Sequence, residues 1–365
     1  MKKKLPPLRL RLEEERKKLN VSWNALEQDY VLSWVLMGIS SIPELNQNLA
    51  FKGGTALKKY YFGEYRFSED LDFSYIGQET NNALLEEYLQ QACNVAIEHM
   101  AEYMPAPKLT IEKYTEKQPH PEGQLAFVIR AQLPWHREPS VKVMVEITMK
   151  EDVKLPLLTK QLIHNYGENI IAAINVYSLE EIVVEKLRAI LQYTKKLHDQ
   201  GWARSRVRDY YDLWHIFKNF GSEIDYQVIA RILESKCRNK GVSFATKEDF
   251  FQPKAITEAR KGWMEWLQPL LTSLPNFDEL ISNLEEEVAK IILIKNLTDQ
   301  IIKRTRQSLS SADRDIFYFK YDDTELYRQI DNPFGNDPVL RFYDKKSNEQ
   351  VTDVDKIIIY LERNK

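Results

Sequence analysis

The chain has 365 residues, 43% hydrophobic and 29% charged, the balance of a globular protein with room for one large domain or two ordinary ones. No apolar run nears the ~20 residues of a membrane span, and two cysteines, Cys93 and Cys237, exclude a disulfide framework. The formal net charge of -3 excludes a globally basic nucleic-acid binder, so any such surface must be local.

The N-terminal MKKKLPPLRLRLEEERKKL is basic but lacks the apolar stretch of a secretory signal, and a reducing cytoplasm is the expected setting. Residues 25–40, ALEQDYVLSWVLMGIS, carry apolar residues at helical spacing. LAFKGG, 49–54, predicts a short strand running into a diglycine, and TALKKYYF a helix that begins at Thr55. A strand over 70–76, a helix over 81–103 and strands over 109–116, 124–133 and 141–149 follow. The last of these alternates as a sheet with one face on helices does. Ser178 and Glu181 form a capping-box start for the next helix, and 204–220 is amphipathic. From about 225 to about 310 the pattern is mostly helical; the tail 311–365 carries strand candidates at VLRFYD and KIIIYLE. The expected architecture is α+β: a sheet domain over 1–170, a helical domain over 171–310 and a C-terminal appendage over 311–365.

The segment RFSEDLDF carries two carboxylates, Asp70 and Asp72, in a predicted strand. Side chains alternate along a strand, so both project from one face while Leu71 and Phe73 project from the other. Like charges that close repel unless a cation lies between them, and Mg²⁺ takes oxygen ligands while keeping positions for water and phosphate. The plainer alternative is a solvated acidic edge strand. Upstream, Gly53 and Gly54 at a strand-to-helix turn would offer backbone N–H groups to phosphate, or simply make a tight turn. Glu146, in KVMVEIT, is a candidate third metal-binding acid or a solvated residue on the exposed face. Arg66 suits phosphate or the acids themselves, with an ion pair to Glu64 or Glu69 as the alternative. The six histidines show no metal-like pairing, and neither Ser/His/Asp nor Cys/His nucleophilic catalysis finds support.

Together FKGGTALKK, RFSEDLDFS, EKLRAI and RVRDYYDLW, in that order, resemble the AbiEii/AbiGii-type nucleotidyltransferase toxins, the group that also holds the MenT toxins. The resemblance spans about residues 24–220, and its specificity lies in the joint match. It implies a DNA polymerase β-like nucleotidyltransferase core, with a mixed sheet flanked by helices, and a helical half that completes the active site. It further implies that Asp70 and Asp72 bind metal, Mg²⁺ or Mn²⁺ in its place, Glu146 remaining the strand-parity candidate for a third acid. Gly54 and Thr55 would be the triphosphate-contacting turn, Lys186 would neutralise phosphate charge, and Asp209 would be the helix aspartate needed for activity; Gly53, Lys58, Arg66 and Ser68 complete the expected nucleotide-binding set. Read without the resemblance, Lys186 is a lysine on a largely apolar helix flank beside Ile182, Val183, Ala189 and Ile190, so it snorkels or meets an anion. Asp209, between Val207 and an aromatic pair, shares that ambiguity, and Arg208 and Asp212 flank it at helix spacing.

The implied reaction moves a nucleotide from an NTP to a hydroxyl, releasing pyrophosphate. The resemblance implies a toxin of a toxin–antitoxin or phage-defence system, a cognate antitoxin, no membrane, and RNA as acceptor, first of all a tRNA 3′ end. Basic segments KLRAILQYTKKL with RSRVR, and IIKRTRQSL, could hold RNA or be ordinary solvated helix faces. Two alternatives stay open: a protein or small-molecule acceptor, and a non-catalytic nucleotide-binding partner protein.

Overall fold

The computed structural model describes residues 5–78, 81–114, 123–308, 318–321, 326–331 and 338–363. It divides into two units, residues 1–178 with 263–274 and residues 179–262 with 275–365.

In the first unit, α1 (Leu8–Leu19), α2 (Trp23–Ser41) and α3 (Pro43–Asn48) precede β1 (Leu49–Lys52). Ser22 caps α2 by accepting from the Ala25 N–H at 3.2 Å. Every residue of α2 from Ala25 to Ile39 is buried, as befits a helix that is the centre of its unit. It packs on α5 (Asn82–Met100) and on β5 (Val141–Thr148). The other strands are β2 (Asp70–Tyr75), β3 (Lys108–Lys113), β4 (Gln124–Gln132), β6 (Leu158–Gln161) and β7 (Ala173–Val176). They form one mixed sheet of order β3-β4-β5-β2-β1-β7-β6, in which β2/β5 and β1/β7 pair parallel. The remaining neighbours pair antiparallel. A mixed α+β architecture is therefore what the chain adopts.

Between β1 and β2 the helix starts at Gly53, two residues before the expected Thr55. It runs as α4 (Gly53–Ala56) and continues as a π-helix over Leu57–Phe62. The wider winding leaves Lys58 and Lys59 both buried. Lys59 Nζ donates to the Asp29 carboxylate at 2.6 Å, the Asp29 carbonyl at 3.0 Å and Ser33 Oγ at 3.0 Å. Tyr166 donates to the same carboxylate at 2.8 Å. Beside this pair Glu168 accepts from Arg11 at 2.7 Å and from Tyr30 at 2.9 Å, with His164 Nε2 at 3.0 Å. These bonds tie α1, α2, the π-helix and the chain before β7 together from inside.

Burial alone would raise the Glu168 carboxyl, but His164 and Arg11 outweigh it and hold the group at about 2. A folded value below the ordinary 4.5 means stability that is complete above that pH and lost as the pH falls toward 2. That pair of values corresponds to on the order of 3 kcal/mol. The melting temperature of Glu168→Gln should accordingly lie below that of the wild type at pH 7 and fall less steeply between pH 5 and 3. Equal acid slopes in the two proteins would remove this role from Glu168.

The second unit holds α6 (Leu179–Gln200), α7 (Val207–Phe220), α8 (Tyr226–Asn239) and α10 (Phe277–Ser308). Between α8 and α10 runs α9 (Pro253–Leu267), which ends in the segment counted with the first unit. Asp225 caps α8 through the N–H groups of Gln227 and Val228, at 2.9 and 3.1 Å. Strands β8 (Tyr318–Tyr321), β9 (Leu326–Asp331) and β10 (Val339–Asp344) form an antiparallel sheet of order β10-β9-β8, followed by α11 (Val354–Arg363). Among the described residues no helix is long and apolar enough to cross a membrane.

One expectation about the tail is corrected. VLRFYD is a strand, but KIIIYLE is the helix α11. Ile357, Tyr360 and Leu361 are buried at helical spacing while Ile359 between them is exposed, so period 3.6 wins over the β-branched run. The stretch after β5, where no regular pattern is legible, holds β6 and β7. With four residues each they are too short to show a period.

Candidate active site

Alternation along β2 works as the sequence requires: Leu71 and Phe73 are buried, while Asp70 and Asp72 share the half-buried opposite face. Pairing then adds what alternation cannot. In register, Asp72 is flanked by Lys52 on β1 and by Glu146 on β5, and Asp70 by Met144. Lys52, Asp72 and Glu146 thus form a row across three strands. Gln124 Nε2 donates to Glu146 Oε2 at 2.7 Å. Lys52 Nζ lies 3.5 Å from Thr148 Oγ1, 3.8 Å from Glu151 Oε2 and 5.7 Å from the centre of the Tyr177 ring. Sequence reasoning missed Lys52; its strand parity was visible, but its neighbours depend on a register between distant segments.

The diglycine turn lies against this row. Gly53 has φ +81°, and a Cβ there would overlap the Asp72 carboxylate. A Cβ on Gly54 would overlap the Arg66 guanidinium and crowd Ser68 Oγ at 3.2 Å. Thr55 Oγ1 donates to the Asp70 carbonyl at 2.5 Å, fixing the helix start to the strand. Arg66 is buried and donates to the Phe67 carbonyl at 3.2 Å. Lys58 donates to the carbonyls of Gly63 at 3.3 Å and Tyr65 at 3.4 Å and lies 4.2 Å from the Phe67 ring centre. Its ammonium therefore braces the loop that carries Arg66 and Ser68. Gly53, Gly54, Thr55, Lys58, Arg66, Ser68, Asp70, Asp72 and Glu146 are all gathered around this turn and sheet face.

Among the described residues no three His, Cys, Asp or Glu side chains are drawn together as a ready-made metal cage. Mg²⁺ does not need one, since one or two carboxylates with water and substrate phosphate complete its shell. The oxygen donors of Asp70 and Asp72 on one face fit that ion.

The helical unit carries the other candidates. Lys186 on α6 donates to Asp209 Oδ1 at 2.9 Å and to Asp212 Oδ2 at 2.6 Å, both on α7. The side chains of Lys186, Asp209 and Asp212 are 9%, 15% and 0% exposed. Asp209 and Asp212, three apart, face the same way on the helix. Arg206 reaches Asp209 Oδ2 at 3.4 Å from the preceding loop. One turn beyond Asp212, burial pulls His215 down to about 4, so its imidazole is neutral at pH 7. On another side of α6, Lys236 bridges Glu181 and Glu185, and Arg188 adds to Glu185. Of the two options open to a lysine on an apolar flank, Lys186 thus takes the second and meets anions.

Residues 34–283 match the family model described as nucleotidyl transferase AbiEii toxin, type IV TA system, and that span includes every site residue named above. Among solved structures, MenT4, a nucleotidyltransferase toxin from Mycobacterium tuberculosis H37Rv, is similar with a TM-score of 0.53 and 18% identity, over 85% of this chain and 92% of that chain. At that identity the likeness concerns the fold. Comparison with the curated proteins gives no match. The chain, matched over more than half its length, belongs to the AbiEii family of nucleotidyltransferase toxins of type IV toxin–antitoxin systems.

Proposed function

We propose that this nucleotidyltransferase uses Mg²⁺ to transfer a nucleotide from an NTP to an RNA hydroxyl, the tRNA 3′ end being the acceptor. The observation that carries the reading is the row of Asp72 and Glu146, with Asp70 on the same face, set against the Gly53 turn. Acids placed beside the glycine turn that opens a helix suit a substrate that brings both phosphate and metal. When bound, Mg²⁺ supplies charge neutralisation at the reacting phosphate and acidifies the attacking hydroxyl. Asp70 and Asp72 would hold that ion, and Glu146 would add a third carboxylate. Gly53, Gly54 and Thr55 would receive phosphate oxygens, with Lys58, Arg66 and Ser68 completing the nucleotide-binding set. Lys186 would balance phosphate charge, its ammonium held in orientation by Asp209 and Asp212. As a toxin, the protein would be controlled by a cognate antitoxin and act in phage defence. A reducing cytoplasm suits Cys93 and Cys237, which are free and buried.

The test incubates the purified chain with each labelled NTP in turn, Mg²⁺ and total RNA, and follows label into RNA and into protein. Label in RNA, concentrated in tRNA and abolished by a chelator, is expected. Label in protein alone would replace RNA by a protein hydroxyl as acceptor; no label in any fraction would overturn the reading.

A further inference from the structure

The loop between α6 and α7, residues 201–206, displays Trp202 at 72% exposure. Burying an indole is ordinarily favourable, so a tryptophan held in water invites an account. The loop is anchored on both sides of the indole. Ala203 packs against the cluster of Tyr193, Leu197 and Ala255, and Arg206 contacts Asp209. The display is therefore built in. Around it, residues 195–209 carry Lys195, Lys196, Arg204, Arg206 and Arg208 against the carboxylates of Asp199 and Asp209. That local excess of cations stands in a chain of net charge -3. Arg204 and Lys196 are exposed with the indole, so this is no broad apolar patch of the kind that docks a protein. An exposed ring flanked by guanidinium groups matches what unpaired nucleic acid requires: a face for a base and cations for the phosphates.

We propose that Trp202, with Arg204 and Arg206, binds an unpaired stretch of the RNA acceptor, a base stacking on the indole and the guanidinium groups meeting the backbone. The proposal rests on the RNA reading above and says which surface grips that acceptor. Arg206 links the grip to Asp209, and through it to Lys186.

A labelled single-stranded RNA of about a dozen nucleotides serves as probe, with affinity read by fluorescence anisotropy over a series of salt concentrations. Trp202→Ala should bind it about tenfold more weakly, within the roughly 1–3 kcal/mol of one stacked base, and Trp202→Phe should restore most of the loss. Arg204→Gln should flatten the salt dependence by about 0.7 in slope, one phosphate contact fewer. NTP binding and melting temperature should stay at wild-type values in the Trp202 variants. RNA affinity unchanged in Trp202→Ala would overturn the proposal, as would a wild-type chain that binds no RNA probe. If wild-type labels RNA and Trp202→Ala labels it with the same KM, this surface fails while the reading beneath it stands. Label in protein alone would bring down both.

Discussion

Asp72→Asn should lower nucleotide incorporation by at least about a thousandfold, roughly 4 kcal/mol of transition-state stabilisation. The substitution keeps the shape of the side chain and removes its charge from the middle of the row. Asp72 has Lys52 on one flank, Glu146 on the other and Gly53 against its carboxylate, so no other described acid occupies an equivalent place. The isosteric amide keeps the side chain's shape on a half-buried sheet face, so the melting temperature should change far less than the activity. Gly53→Ala tests the same juncture from the backbone side. Its Cβ would collide with Asp72, and φ +81° is strained for alanine, so activity and melting temperature should fall together. Assays of labelled-nucleotide transfer alongside thermal melts separate the two patterns. Wild-type transfer by Asp72→Asn would end its assignment as a catalytic residue; a steep loss of stability would make it a structural one.

In the helical unit, Asp209→Asn should abolish toxicity on expression and leave the fold intact, whereas Lys186→Met should lose both. The difference follows from burial. Removing the ammonium takes from Asp212, wholly enclosed, and Asp209, 15% exposed, the cation that they share. Breaking a buried pair in that manner costs roughly 3–5 kcal/mol, on the order of 10 °C in melting temperature. Asp209→Asn keeps the Lys186–Asp212 pair and removes only the partly exposed charge, which makes it the cleaner probe of chemistry. Growth after induced expression and thermal melts of the purified variants decide the matter. Full toxicity in Asp209→Asn would remove its role, and an unshifted melt for Lys186→Met would show that the pair does not hold α6 to α7.

Much of the site was legible because its signals are local. D-x-D in a strand puts two carboxylates on one face through backbone geometry alone, and a diglycine before a helix announces a turn. The long, strongly patterned segments, α2, α5, α6 and the strands β4 and β5, were equally plain. What escaped was short or misleading. The four-residue strands β6 and β7 carry no period, and three consecutive isoleucines at 357–359 suggest a strand where burial of Ile357, Tyr360 and Leu361 makes a helix. The π-winding after α4 also escaped, since a helical pattern predicts the hydrogen-bonded turn but not its pitch.

The sequence by itself determined which carboxylates share a face, where a diglycine turn opens a helix, and the order of motifs that marks the family. The tertiary structure alone decided who stands next to whom. The parallel pairing of β2 with β5 sets Glu146 beside Asp72, and the antiparallel pairing of β1 with β2 brings in Lys52. The packing of α6 on α7 turns Lys186 from a lysine on an apolar flank into the centre of a carboxylate pair. Neighbourhoods of this kind are chosen by register and helix packing, which depend on the fit of whole faces between segments far apart in the chain, and no window of sequence contains that fit.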